Sequence, residues 1–95
     1  MNHDRDELVR NWVIKAENDL KIGLDELRSE DPATDMVCFH MQQCVEKYLK
    51  AYLCLKGKHF RRTHDIAELI EACKEVDSDF ERLFALEADY LTVYG

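Results

Sequence analysis

The sequence predicts an all-α protein, an up-and-down antiparallel bundle of four to five helices. Apolar residues recur at spacings of three and four along most of the chain, as on one side of a helix. The 95 residues include only one proline and three glycines, and no stretch alternates apolar with polar residues as a strand does. This length suits one domain, residues 1–95, with a core of its own.

The first helix should begin near Asp4 to Glu7, where acidic side chains favour the positive end of the helix dipole. Its apolar side is a row at helical spacing: Val9, Val13, Ala16, Leu20, Gly23, Leu24 and Leu27. It should end around Arg28, because Ser-Glu-Asp-Pro follows. The short connection predicts an antiparallel helix pair.

The segment from Asp35 to Lys58 is the predicted central helix, and two apolar stripes predict that several neighbours cover it. The first stripe is Val37, Met41, Cys44, Tyr48, Ala51 and Leu55, and the second is Cys38, Val45, Leu49 and Tyr52. Its start is either Asp31 as a cap before Pro32, or Thr34 or Asp35. Gly57 fits a left-handed residue after its end.

Two shorter helices are expected after the central one. Thr63 is the expected N-cap of a third helix, whose apolar edge contains Ile66, Leu69, Ile70 and Cys73. Ser78 to Glu81 has the pattern of a capping box opening a fourth helix. The chain stops at residues 91–95 while still apolar, which predicts contact with a partner or a longer natural protein.

The remaining side of the central helix is a polar line that we expect to face water. It is either a plain solvated face or a wall that binds a nucleotide phosphate or a partner protein, with the lysines as point charges and Gln43 as a hydrogen-bonding group. Its residues are Gln43, Glu46, Lys47 and Lys50, with Glu46 and Lys50 spaced for an i,i+4 ion pair. The formal net charge is −7, but residues 47–62 carry six lysines and arginines and no acid. This basic block either attracts phosphate or an acidic partner, or neutralises the acidic flanks of its own chain.

The same basic block leads into a second candidate site at the predicted start of the third helix. Helix N-terminal amides with Arg61, Arg62 and a titratable His64 would make an anion site beside Asp65. In the alternative interpretation Thr63 caps the helix, His64 covers the core edge and Asp65 favours the helix dipole. Most aromatic side chains, such as Trp12, are more typical of core than of a base-stacking surface. Those interleaved with the basic block, Tyr48, Tyr52 and Phe60, are a weak signal for a nucleic-acid platform.

The composition predicts no metal, cofactor or membrane span. Four cysteines lie on apolar stripes and are expected to be small buried side chains, since no C-x-x-C knuckle is present. A metal site at Cys38, His40 and Cys44 is disfavoured because helix positions two apart diverge. No glycine-rich phosphate loop and no apolar run of about twenty residues occurs. The amino terminus has no apolar signal core, so we expect a cytoplasmic protein.

Three stretches of the sequence resemble the HEPN domain, named for higher eukaryotes and prokaryotes nucleotide-binding. They are A-E-N-D-L at 16–20, H-M-Q-Q-C-V-E-K-Y-L-K-A-Y-L at 40–53 and R-T-H-D-I-A-E-L-I at 62–70. The resemblance covers about residues 9–95. It implies a bundle of four or five helices, commonly dimeric, and prokaryotic members of this type stand beside a minimal nucleotidyltransferase as a toxin–antitoxin pair or a two-part transferase.

The resemblance predicts a module that binds a nucleotide or a partner protein, rather than an enzyme. It also predicts a homodimer. Ribonuclease members carry an arginine four to six residues before a histidine, and no arginine here stands at that distance from His3, His40, His59 or His64. The Arg-Tyr-Pro segment that often ends related members is also missing. Two alternatives stay open: an RNA-cleaving toxin with a divergent site at Arg62 and His64, and a purely structural oligomerisation unit.

Overall fold

The computed structural model describes residues 2–77, and all of the regular structure in that range is helical. The helices are α1 at Asn2–Leu27, α2 at Thr34–Leu55 and α3 at Ile66–Val76. The all-α prediction is therefore confirmed for this range. The predicted fourth helix, from Ser78 onward, and the apolar C-terminal residues lie outside the described residues.

Helix α1 matches its predicted bounds within a few residues. Ala16 is fully buried, Asp19 is only 7% exposed, and Gly23 is buried beside them in the middle of the helix. Gly23 has a packing reason, because a Cβ atom at this position would lie 2.6 Å from Cε of Met41 in α2. The missing side chain thus lets the two helices approach closely at this point.

Helices α1 and α2 form the predicted antiparallel pair. Contacts pair the end of α1 with the start of α2 and the start of α1 with the end of α2. Gly23 lies against Met41, and the Trp12 ring lies 5.1 Å from Nζ of Lys50. The connection over residues 28–33 is fastened by Glu26, whose Oε2 accepts from the backbone N–H of Ala33 at 2.9 Å. Helix α2 begins at Thr34, one of the two later starts that the sequence allowed, and not at Pro32.

The described core lies where α2 meets α3. It consists of Leu49, Leu53, Leu69, Ile70 and Cys73, with Tyr52, Phe60, Ile66 and Ala72 packed against it. The third helix therefore covers the second half of α2, as a central helix requires. All four predicted apolar residues of α3 lie on its hydrophobic side. Leu69, Ile70 and Cys73 are buried, and Ile66 is half-buried.

The predicted stripes of α2 are only partly buried. Cys44, Leu49 and Ala51 are buried, but Val45 is 47% and Leu55 51% exposed. Tyr48 is 40% exposed. The expectation that all four cysteines are buried was wrong for Cys38, which is exposed, whereas Cys44 and Cys73 are buried and Cys54 is half-buried. Burial raises the pKa of the Cys73 thiol to about 11, so that side chain is a neutral core residue.

The two ends of the α2–α3 connection have different caps. Gly57 has φ +69°, which confirms the left-handed residue predicted after α2. The N-cap of α3 is Asp65, whose side chain accepts from the backbone N–H of Glu68 at 3.3 Å. The assignment of Thr63 as the cap was therefore wrong. Its Oγ1 accepts from the Asp65 N–H at 3.0 Å and shapes the turn that precedes the helix.

None of the helices in residues 2–77 combines the length and the apolar character that crossing a bilayer would need.

Candidate functional site

The predicted polar line of α2 lies inside the bundle, which corrects the expectation that it faces water. Glu46 is 2% exposed and Lys50 5% exposed, while Gln43 and Lys47 are half-buried. The physical reason is that α1 and the turn before α3 supply polar and aromatic partners to this side of α2. Buried charge is tolerated when each group is paired and hydrogen-bonded.

Glu46 is the centre of one buried polar cluster. Lys50 Nζ donates to Glu46 Oε2 at 2.9 Å, which confirms the predicted i,i+4 pair. The same ammonium group lies 5.1 Å from the centre of the Trp12 ring, a cation–π distance. The Glu46 carboxylate also contacts Nδ1 of His64, at 3.0 Å through Oε2 and 3.2 Å through Oε1. The cluster joins α1, α2 and the turn before α3.

His64 is the solvent end of this cluster. Its side chain is 80% exposed, whereas the side chain of its partner Glu46 is 3% exposed. A carboxylate only accepts hydrogen bonds, so Nδ1 carries the proton in this contact and Nε2 of a neutral ring is left as an acceptor. The arrangement fixes the ring orientation and presents Nε2 to solvent.

Lys47 belongs to a second buried cluster, centred on Asp19 of α1. Its Nζ donates to Asp19 Oδ2, and Nδ1 of His40 lies 2.9 Å from Asp19 Oδ1. Burial works to raise the pKa of Asp19, but the hydrogen bonds from Lys47 and His40 outweigh it and hold that pKa below its ordinary value. Asp19 is therefore an ionised carboxylate that neutralises Lys47, and Lys47 is not a free phosphate contact.

The basic residues before α3 differ in their partners. Arg61 donates to Glu68 Oε1 through Nε at 3.2 Å and Nη2 at 2.8 Å, and these bonds raise the pKa of its guanidinium. Lys58 is ion-paired with Glu75 of α3. Arg62 is exposed and has no hydrogen bond or ion pair within residues 2–77. Asp65 is occupied as the α3 cap.

Apart from Gln43 and Asp65, the candidate residues thus fall into three groups. Glu46, Lys50 and His64 converge on one cluster, while Lys47 lies in the Asp19 cluster. The exposed basic groups lie on the turn between α2 and α3, which we call the basic corner: Lys58, His59, Arg61 and Arg62, with His64 at its end. In residues 2–77 no three histidine, cysteine, aspartate or glutamate side chains are arranged to hold a metal ion.

A groove beside the basic corner was missed by sequence reasoning. Its volume is about 470 Å³, and it runs between the first half of α1 and the end of α2. Its walls include Arg5, Leu8, Trp12, Cys54, Lys58 and Phe60. The available signal was the placement of Phe60 between His59 and Arg61, an aromatic ring inside a basic run. The contribution of α1 was not visible, because Trp12 lies more than forty residues away along the chain.

Comparison with known proteins gives one result. The family model described as HEPN domain matches residues 9–94, which is most of the chain. No curated protein and no solved structure matches this sequence. The matched range includes the whole of α2 and α3, and with them both buried clusters and the basic corner. The chain belongs to the HEPN domain family.

Proposed function

We propose that this HEPN domain is a non-catalytic partner module, which binds a nucleotide at the basic corner and acts with a minimal nucleotidyltransferase. Acting with such an enzyme is what the prokaryotic members that this sequence resembles do, as toxin–antitoxin pairs or two-part transferases. The proposal takes the whole chain as one domain that forms a homodimer.

The observation that carries the proposal is the concentration of positive groups at the basic corner. Arg62 and His64 project into solvent there, and His64 is held in place by a buried carboxylate. Arginine binds phosphate through charge-assisted hydrogen bonds, and a protonated imidazole donates from both nitrogens, so His64 in that form holds Glu46 through Nδ1 and a phosphate through Nε2. The rest of the protein is acidic, so the basic corner is the part of the described surface best suited to an anion.

Calorimetric titration of the full chain with ATP and with AMP tests nucleotide binding at the basic corner. The variant Arg62→Gln/His64→Gln should weaken binding by about tenfold, since each removes one charge-assisted contact. A matched control is His3→Gln/Arg10→Gln, which removes the same two residue types from exposed positions of α1. Equal loss in both variants would contradict binding at the corner.

Partnership is tested separately by co-purification with the product of the adjacent gene, which the proposal expects to be a minimal nucleotidyltransferase. A stable complex with the wild type is the expected result. The double variant at Arg62 and His64 then tells whether the corner also contacts the partner. Absence of a complex at micromolar concentrations would overturn the partnership, whatever the result with nucleotides.

One observation favours ribonuclease activity as a second candidate function. The contact from Glu46 to His64 Nδ1 resembles the way in which a carboxylate orients a catalytic histidine. The missing Arg-x4-6-His motif speaks against it. Incubation of the pure protein with total RNA decides: cleavage abolished by His64→Ala and weakened by Glu46→Gln supports the ribonuclease, and intact RNA removes it.

A further inference from the structure

The groove at the start of α1 has the size and lining of a small-molecule site. Its volume of about 470 Å³ lies within the range of roughly 300–1,000 Å³ that is typical of ligand pockets. Leu8, Trp12, Cys54 and Phe60 give it apolar and aromatic walls. Leu8 is 49% exposed, so this apolar wall is open to solvent.

The rim of the groove is positively charged. Arg5, Lys58 and His59 line it, against a single acidic residue, Asp4. A further ammonium group, that of Lys15, lies 5.2 Å from the Trp12 ring, whereas the Lys50 ammonium near the same ring is neutralised by Glu46. An anion bound at the rim would therefore lie in a positive potential inside an otherwise acidic protein.

Lys58 can exchange its partner at little cost. It is paired with Glu75, whose side chain is 62% exposed, and exposed pairs of this kind contribute little to stability. The lysines of α2 differ in this respect, since Lys47 and Lys50 are held by buried carboxylates. The groove thus offers cations to a ligand where the polar line of α2 does not.

We propose that this groove binds a nucleoside monophosphate, with the planar base against Phe60 and the edge of Trp12 and the phosphate at Lys58. Aromatic walls suit the flat apolar faces of a base, and the rim suits its charge. The proposal rests on the proposed function for its ligand class, and it places the ligand in the groove between α1 and α2 and not on the polar line.

Trp12 makes the groove directly observable, because it is the single tryptophan of the chain. Titration of the full chain with AMP should change the Trp12 fluorescence with one binding isotherm. Adenosine and inorganic phosphate serve as half-ligands, and each should bind at least about tenfold more weakly than AMP if base and phosphate both contribute. If inorganic phosphate bound as tightly as AMP, the base would contribute nothing to binding, and the proposal would be overturned.

Substitutions at the rim should move the affinity in opposite directions. Lys58→Gln should weaken AMP binding about threefold to fivefold, and Glu75→Gln should strengthen it about twofold by releasing Lys58. The control Lys21→Gln removes another ion-paired surface lysine, bonded to Asp25 on the far half of α1, and should leave the affinity unchanged. Equal affinities in all three variants would contradict the phosphate position.

A charge placed in the apolar wall tests the base position. Leu8→Glu should abolish AMP binding, whereas Ile22→Glu, at 48% exposure on the same helix, should not. Alkylation of Cys54 gives an independent readout: AMP should protect this groove thiol and leave the exposed Cys38 reactive. Unprotected Cys54 at saturating AMP would exclude the groove.

The outcomes separate this proposal from the proposed function. Calorimetric binding of AMP that Leu8→Glu and Lys58→Gln leave intact would overturn the groove and keep a nucleotide-binding module. Groove binding without a nucleotidyltransferase complex would keep the groove and overturn the partnership. Absence of any AMP binding would overturn the groove, while co-purification would still decide on the partner.

Discussion

Glu46 and Lys50 form a buried ion pair, and its net contribution to stability is measured by replacing both residues and not only one. Each side chain is almost fully enclosed, so loss of one partner leaves the other charge without compensation in a medium of low polarity. The Trp12 ring and the His64 nitrogen partly stabilise the remaining charge, but they do not replace the ion pair. The cluster therefore fixes how α1 and the turn before α3 sit on α2, even if it adds little net stability.

The substitution Lys50→Met should destabilise the protein by about 3 kcal/mol, because it leaves the Glu46 carboxylate buried without its cation. The double variant Glu46→Gln/Lys50→Met should be less destabilised than that single variant. Urea unfolding followed by circular dichroism measures both free energies. A double variant less stable than Lys50→Met would refute this account, and the exposed-pair variant Lys21→Met serves as the control with a smaller effect.

Asp19 should make the stability of the protein sensitive to acid. Burial alone would raise its pKa, but the hydrogen bonds from Lys47 and His40 hold the pKa below the ordinary value of 3.8. The folded pKa is thus lower than the unfolded one, so this stabilisation is present above about pH 4 and is lost as the pH falls through the folded pKa.

Unfolding of the wild type and Asp19→Asn measures this contribution across the acid range. The wild type should be the more stable protein at about pH 6, and the difference should shrink as the pH falls below about 4. A difference that stays constant down to the acid transition would show that Asp19 acts through packing and not through its charge.

At the scale of elements, single residues set the end of α2 and the start of α3. The sequence predicted the first of these residues correctly but not the second. Gly57 was predictable because only glycine adopts a left-handed conformation without strain, and it follows a long apolar helix. The cap of α3 was not predictable in the same way. Thr63 and Asp65 both carry a side-chain oxygen suited to capping, and the choice between them depends on where the basic corner lets the chain turn.

Gly57→Ala should destabilise the protein by about 1–2 kcal/mol, because a Cβ atom is strained at φ +69°. The added atom would lie 3.4 Å from Nη1 of Arg5, an ordinary van der Waals distance, so the cost comes from the backbone conformation. Gly57→Asn should lower the free energy of unfolding by less, since asparagine tolerates the left-handed region better than alanine. Thermal unfolding of both variants tests this order, and alanine as stable as asparagine would contradict it.

At the scale of the whole molecule, helix periodicity predicted the all-helical fold and the antiparallel pair, but not which side of α2 faces inward. Glu46 and Lys50 read as a solvated face because their partners, Trp12 and His64, are distant in sequence. Val45 and Leu55 read as core because they are apolar, yet about half of each is exposed. Periodicity locates a helix face, whereas its environment depends on which other elements arrive there.

The exposed apolar row of α2 bears on the expected homodimer. Val45, Tyr48 and Leu55 are spaced along one side of the helix and are 47%, 40% and 51% exposed. Burial of such a row against a second copy would remove apolar area from water, which drives most protein association. We therefore expect a dimer whose stability depends on this row.

Light scattering of the full chain should give about twice the 11.2 kDa mass of one chain. Val45→Glu should shift the population toward the monomer, because a charge would have to be buried at the contact. Ile22→Glu, at similar exposure on α1, should leave the dimer intact. A monomeric wild type would contradict both the homodimer and the structural oligomerisation unit, and a dimer indifferent to Val45→Glu would place its contact on another face of the bundle.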